Sequence, residues 1–154
     1  MGQSGYMPVE YDGDDCSLRI GNGLGTVITF GPGADPFHDG YDFVDFPVTL
    51  SSDGLSATAI VRSVEGPSPM ALSVFVADLA AEWKGLQSER TWESIEHHLA
   101  IEARSDPVGH LILTVVLRES HQVDAWSARV SVKVEPGEEM TQVAAAVRRL
   151  LRAG

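Results

Sequence analysis

From Trp126 to Val134 the chain alternates: Trp126, Ala128, Val130, Val132 and Val134 are apolar or small, against Ser127, Arg129, Ser131 and Lys133. Successive side chains of a strand point to opposite faces, so this pattern predicts a strand with one buried and one wet face. The same period recurs at Leu111, Leu113, Val115 and Leu117, and before the Asp106–Gly109 turn at Leu99, Ile101 and Ala103. Between Ser68 and Trp83 the period changes. Leu72, Phe75, Val76, Leu79 and Trp83 share one helical face, Ser68-Pro69 suits a helix start, and Gly85 ends it. Residues 86–92 read as a link. A last helix is predicted over Glu138–Arg152, with Met140, Val143, Val147 and Leu150 as its apolar stripe. Its acids stand at the N-terminus and Arg148, Arg149 and Arg152 at the C-terminus, as the helix dipole favours.

The N-terminal half is patterned more weakly. Residues 1–15 are rich in Gly and Asp and read as a flexible arm, leaving 16–154 as one domain. Strands are predicted at Cys16–Ile20 and Gly25–Phe30, joined by the Asn22-Gly23 turn signal. Gly31–Gly40 is a loop. Tyr41–Leu50 is a strand placed at an edge or bulge by Pro47, and Ser52-Asp53-Gly54 turns the chain into Leu55–Arg62. Short links imply antiparallel pairing. The expected fold class is therefore α+β: a single twisted antiparallel sheet of six to seven strands, meander-like, with two helices packed on one face.

Charge adds to this picture. The 154 residues carry 22 acids and 11 bases, a net of −11. Residues 1–60 hold nine acids against one base (−8), and residues 61–154 thirteen against ten (−3). Such a balance opposes nucleic acid binding and favours a basic protein partner. A 44% apolar content is enough for a packed core. The single cysteine, Cys16, excludes an internal disulfide, which suits a reducing compartment. With no membrane-length apolar run and no export signal, the expectation is a cytoplasmic protein without membrane attachment.

Candidate chemistry is sparse. Gly21, Gly23 and Gly25 precede a strand, not the helix that a phosphate loop requires. Asp35, Asp39, Asp42 and Asp45 lack the spacing of a calcium loop, as do Asp12, Asp14 and Asp15. His38, His97, His98, His110 and His121 show no metal-ligand spacing, and as strand neighbours His97 and His98 would face opposite ways. Glu82, Glu93 and Glu96 lie near tryptophans, and no nucleophile elbow accompanies them. The expectation is no metal, no cofactor and no catalytic residue. Trp83 and Trp126 are expected in the core. Trp92, with Asp35, Asp39, Tyr41, Asp42 and Asp45, is the candidate partner-binding set.

The segments Phe75-Val76-Ala77-Asp78-Leu79-Ala80-Ala81-Glu82-Trp83-Lys84-Gly85 and Glu89-Arg90-Thr91-Trp92-Glu93-Ser94-Ile95-Glu96 resemble an actinobacterial family of unknown function, DUF6228. The likeness continues through Leu99–Ala103, Gly109-His110-Leu111 and Trp126 to the closing helix, over about residues 55–152. Two lysines against nine arginines suit a high-GC actinobacterium. More distantly, the order of elements is similar to WapI-type immunity proteins, small acidic proteins that neutralise a toxin by binding it. That resemblance implies a non-catalytic protein-binding domain whose acidic surface meets a basic, toxin-like partner. A small-molecule binder or hydrolase with a pocket between sheet and helices, and a self-associating structural protein, stay open beside it.

Overall fold

The computed structural model of the protein describes residues 8–35, 43–66 and 68–152. Nine strands and two helices follow one another among them: β1 (Val9–Asp12), β2 (Ser17–Gly21), β3 (Val27–Phe30), β4 (Phe43–Ser52), β5 (Leu55–Val64), α1 (Leu72–Ala81), β6 (Arg90–Glu93), β7 (Leu99–Ser105), β8 (Leu111–Arg118), β9 (Ser127–Val134) and α2 (Glu138–Arg152). The class is α+β, but there are two sheets where one was expected. Sheet A is a five-stranded meander, β1 to β5, and sheet B a four-stranded meander, β6 to β9. Every pairing is antiparallel. The sheets face each other across one core: β4 and β5 meet β9 and β8 directly, whereas β1 and β2 pack on α2, and α1 lies against α2. Periodicity states which face of a strand is buried and leaves open which strands pair. Residues 65–89, with α1 among them, separate β5 from β6, so the second meander closes on itself.

Register explains the layering. On the inner face of sheet A, Ile20, Ile28 and Leu50 stand side by side and end at Ala57, while Leu18, Phe30 and Val48 end at Ala59. The small residues on β5 leave room for sheet B, which meets sheet A at this edge. Ile28, Leu72, Leu113 and Met140, one from each layer, line a single interior whose remaining void is about 20 Å³. That is space for about one water. In β8 both faces are buried. Its outer residues Thr114 and Val116 lie under a Glu102–Arg129 ion pair that spans β8, and Thr114 Oγ1 lies 2.8 Å from Ser131 Oγ.

Several local expectations change. Val9–Asp12, assigned above to an arm, pairs with β2 as a strand. Its register places Val9 beside Ile20 at the core and leaves Glu10 beside Arg19. The link contains β6, which pairs with β7. Pro47 is neither at an edge nor in a bulge, since β4 lies between β3 and β5 in continuous register. Its carbonyl accepts from Gly31 N–H, just past the end of β3, so the missing proline N–H falls where the ladder has already stopped.

Helix α1 begins three residues later than the Ser68-Pro69 start signal suggested, and its N-cap, Ala71, offers no side-chain bond. The cap comes from β5 and the residue just after it. Glu65 Oε2 accepts from Leu72 N–H at 2.8 Å, Ser63 Oγ lies 3.2 Å from the same nitrogen, and Ser73 Oγ donates to Glu65 Oε1 at 2.5 Å. A carboxylate is favoured at a helix N-terminus by the free N–H groups and the dipole. The helix ends at Ala81, so Trp83 falls outside it and is 57% exposed.

Candidate functional site

Five of the described carboxylates collect at one end of sheet A. The β1–β2 turn carries Asp12, Asp14 and Asp15, all exposed, with Asp12 Oδ1 accepting from Asp14 N–H and Asp15 N–H. Beside it runs the Gly31–Asp35 segment: a Cβ on Gly31 would come within 2.8 Å of the Cys16 carbonyl oxygen. Ala34 pairs with Asp45 through both backbone bonds, which brings Asp35 and Asp45 to the same end. Asp45 is held by Arg62 in a two-pronged pair of 2.7 and 3.1 Å. That bond raises the Arg62 pKa above its ordinary value, ahead of the opposing cost of burial. The C-terminal turn of α2 borders the cluster, and Arg149 lies 4.5 Å above the Tyr11 ring. Burial comes first in raising the Tyr11 hydroxyl pKa, followed by its bond to Cys16.

Of the residues picked from sequence, Asp35 and Asp45 are therefore brought together, and Asp39, Tyr41 and Asp42 lie outside the described residues. Trp92 is not an exposed anchor. It is 8% exposed and its indole N–H donates to the Met70 carbonyl at 2.7 Å. The residues expected in the core, Trp83 and Trp126, are the exposed tryptophans, at 57% and 40%. Trp92 lies opposite Ile101 on the inner face of sheet B, whereas Trp126 precedes β9 and escapes its alternation.

A second surface was not foreseen. At one end of sheet B, a groove of about 460 Å³ is lined by Glu93, His97, Arg118, His121 and Trp126, among others. Glu93 ends β6, Arg118 ends β8, and His97 sits in the turn before β7 rather than in a strand. His97 takes a left-handed backbone with φ of 65°. This conformation is uncommon outside glycine, although histidine adopts it more readily than most. Glu93 Oε2 accepts from Arg118 Nη1 at 3.1 Å and lies 3.1 Å from His97 Nδ1. Arg118 Nη1 also donates to the His97 carbonyl at 3.3 Å. The His97 and His121 rings meet edge to face at 6.2 Å between centroids. Glu93 and His97, four apart, offered the only spacing signal; Arg118, His121 and Trp126 reach the groove through sheet pairing alone.

Two other polar groups have structural roles. His110 bridges Asp106 Oδ2 at 3.1 Å and Glu135 Oε1 at 3.2 Å, tying the β7–β8 turn to the start of α2. Burial pushes the Asp106 pKa up, but bonds from the His110 backbone and ring and from Val108 N–H outweigh it and hold it below its ordinary value. Glu82 pairs with Arg90 after the end of α1, and its other oxygen is buried with no hydrogen bond among the described residues.

Among the described residues, no three His, Cys, Asp or Glu side chains are placed to hold a metal, and no helix is long and apolar enough to cross a membrane. No curated protein and no solved structure matches the chain. Residues 25–154, from the turn before β3 to the end of α2 and beyond, match the model of a family of unknown function, and the chain belongs to that family, DUF6228.

Proposed function

We propose that the protein is a non-catalytic, cytoplasmic binding domain of an actinobacterium that holds a basic protein partner against the acidic end of sheet A, as WapI-type immunity proteins hold a toxin. The observation that carries this reading is the convergence of Asp12, Asp14, Asp15, Asp35 and Asp45 from three separate segments onto one end of a rigid sheet. Asp12, Asp14 and Asp15 are exposed at the turn that joins the paired strands β1 and β2, so their charge is presented with little ordering left to do, which favours fast encounter with a basic surface. The filled interior supports the same reading: a void of about 20 Å³ between sheets and helices offers a substrate no room.

The test is capture of the partner from the source cells, followed by titration of the purified pair at low and high salt. Asp12, Asp14 and Asp15 changed together to Asn are expected to weaken binding about tenfold or more, and salt to weaken the native pair in step. A partner whose affinity ignores both changes overturns the proposal, as does the absence of any retained basic protein.

A further inference from the structure

We propose that the groove at the end of sheet B is a second binding site, for a small oxyanion carried on an aromatic ring. It shares no residue with the acidic end of sheet A and does not depend on the function proposed for it. The argument starts with Arg118. A guanidinium offers five N–H groups in a fixed fork. Nη1 spends its pair on Glu93 Oε2 and the His97 carbonyl. Among the described residues, Nε and Nη2 have no hydrogen-bond partner. Arg118 lines the groove, so this second edge of the fork is offered to whatever enters it. A carboxylate or phosphate takes such an edge through two parallel bonds. One side of the guanidinium is already anchored, so little ordering remains to be done on binding.

The rest of the groove fits the same ligand. Ser120, Gln122 and Ser127 supply further polar groups, and Trp126 supplies a partly exposed indole against which a ring can lie. A volume of about 460 Å³ exceeds what a bare inorganic anion fills. Charge is suitable despite the acidic whole. The outer face of sheet B carries Arg104, Arg118, Arg129 and Lys133, and its acids Glu93 and Glu102 are engaged with Arg118 and Arg129. The titratable groups facing the groove are Glu93, His97 and His121; Glu96, Glu119 and Asp124 are exposed nearby and do not line it.

Benzoate and phenyl phosphate are the probes, with benzyl alcohol as the uncharged control. Binding is followed by backbone amide shifts and by Trp126 fluorescence, with Trp126→Phe identifying the signal. Saturable millimolar binding of both anions is expected at the amides of 118–127. Arg118→Gln should weaken it about tenfold. Ser127→Glu, which leaves the Glu93–Arg118 pair intact and places a competing carboxylate in the groove, should do the same. Phenyl phosphate binding without benzoate would assign the site to phosphate alone and overturn the shared oxyanion. Equal binding of benzyl alcohol, or unchanged binding in the folded Arg118→Gln and Ser127→Glu proteins, refutes the proposal.

Discussion

Replacing Glu65 by alanine removes the carboxylate that caps the N-terminus of α1. Four donors turn to it: Leu72 N–H at 2.8 Å, Ser73 N–H at 3.5 Å, and the Ser63 and Ser73 hydroxyls, each at 2.5 Å. Leu72 N–H is recovered in part by Ser63 Oγ at 3.2 Å, and the half-buried Ser73 hydroxyl can turn to water. The unrecovered loss is about one charge-assisted bond, ~1.5–3 kcal/mol, plus a dipole contribution of ~0.3–1 kcal/mol. The expected destabilisation is therefore about 2–4 kcal/mol. Glu65→Gln keeps an acceptor and loses the charge, and should cost about half as much. Ser68→Ala is the control, because Ser68 Oγ accepts only from Met70 N–H, in an exposed turn. It should cost less than about 0.5 kcal/mol. Urea unfolding measures all three, with the midpoint moving and the slope constant. An alanine variant within about 0.5 kcal/mol of the native protein, or a larger loss at Ser68 than at Glu65, refutes a cap supplied from the end of β5.

Gly33→Ala should destabilise the protein by about 1–3 kcal/mol, because its Cβ would lie 2.4 Å from the Leu150 carbonyl oxygen and 3.0 Å from a Val44 methyl, forcing α2 to move; thermal unfolding reads the loss, and a neutral result denies that close approach. Trp92→Phe should cost about 1–3 kcal/mol by leaving the Met70 carbonyl without its indole donor. Acrylamide should quench Trp83 and Trp126 and spare Trp92, as separated in single-tryptophan variants. For Asp106, whose folded pKa lies below its ordinary 3.8, the ionised form stabilises the fold above that value, and the contribution disappears as pH falls through the folded pKa. Asp106→Asn should flatten the stability profile in this acid window alone; an unchanged profile refutes the assignment.

Periodicity alone located β7, β8, β9 and α2, because each is long enough for its period to repeat, and identified the buried faces of β7, β9 and α2; in β8 it marked one face where both are buried. The charge count along the chain placed the acidic excess in the first sixty residues. Two short elements escaped periodicity: β1 and β6 span four residues each and are held by pairing with β2 and β7 rather than by their own pattern, whereas β3, equally short, was marked by the Asn22-Gly23 turn signal before it. The extent of α1 was misjudged for a related reason. Ser68-Pro69 is a valid local start signal, but Glu65 makes its bonds at Leu72, so a contact outside the helix sets where it begins. The three tryptophans show the same division. Apolar character marks each as a candidate for burial, and position relative to the ends of the helix and strands decides which one is buried. Strand patterning marks an inward side on each of the longer strands. Partner choice among strands, and hence two facing sheets, the convergence of distant carboxylates and the groove around Arg118, arises from contacts between segments far apart along the chain, about which a local period carries no information.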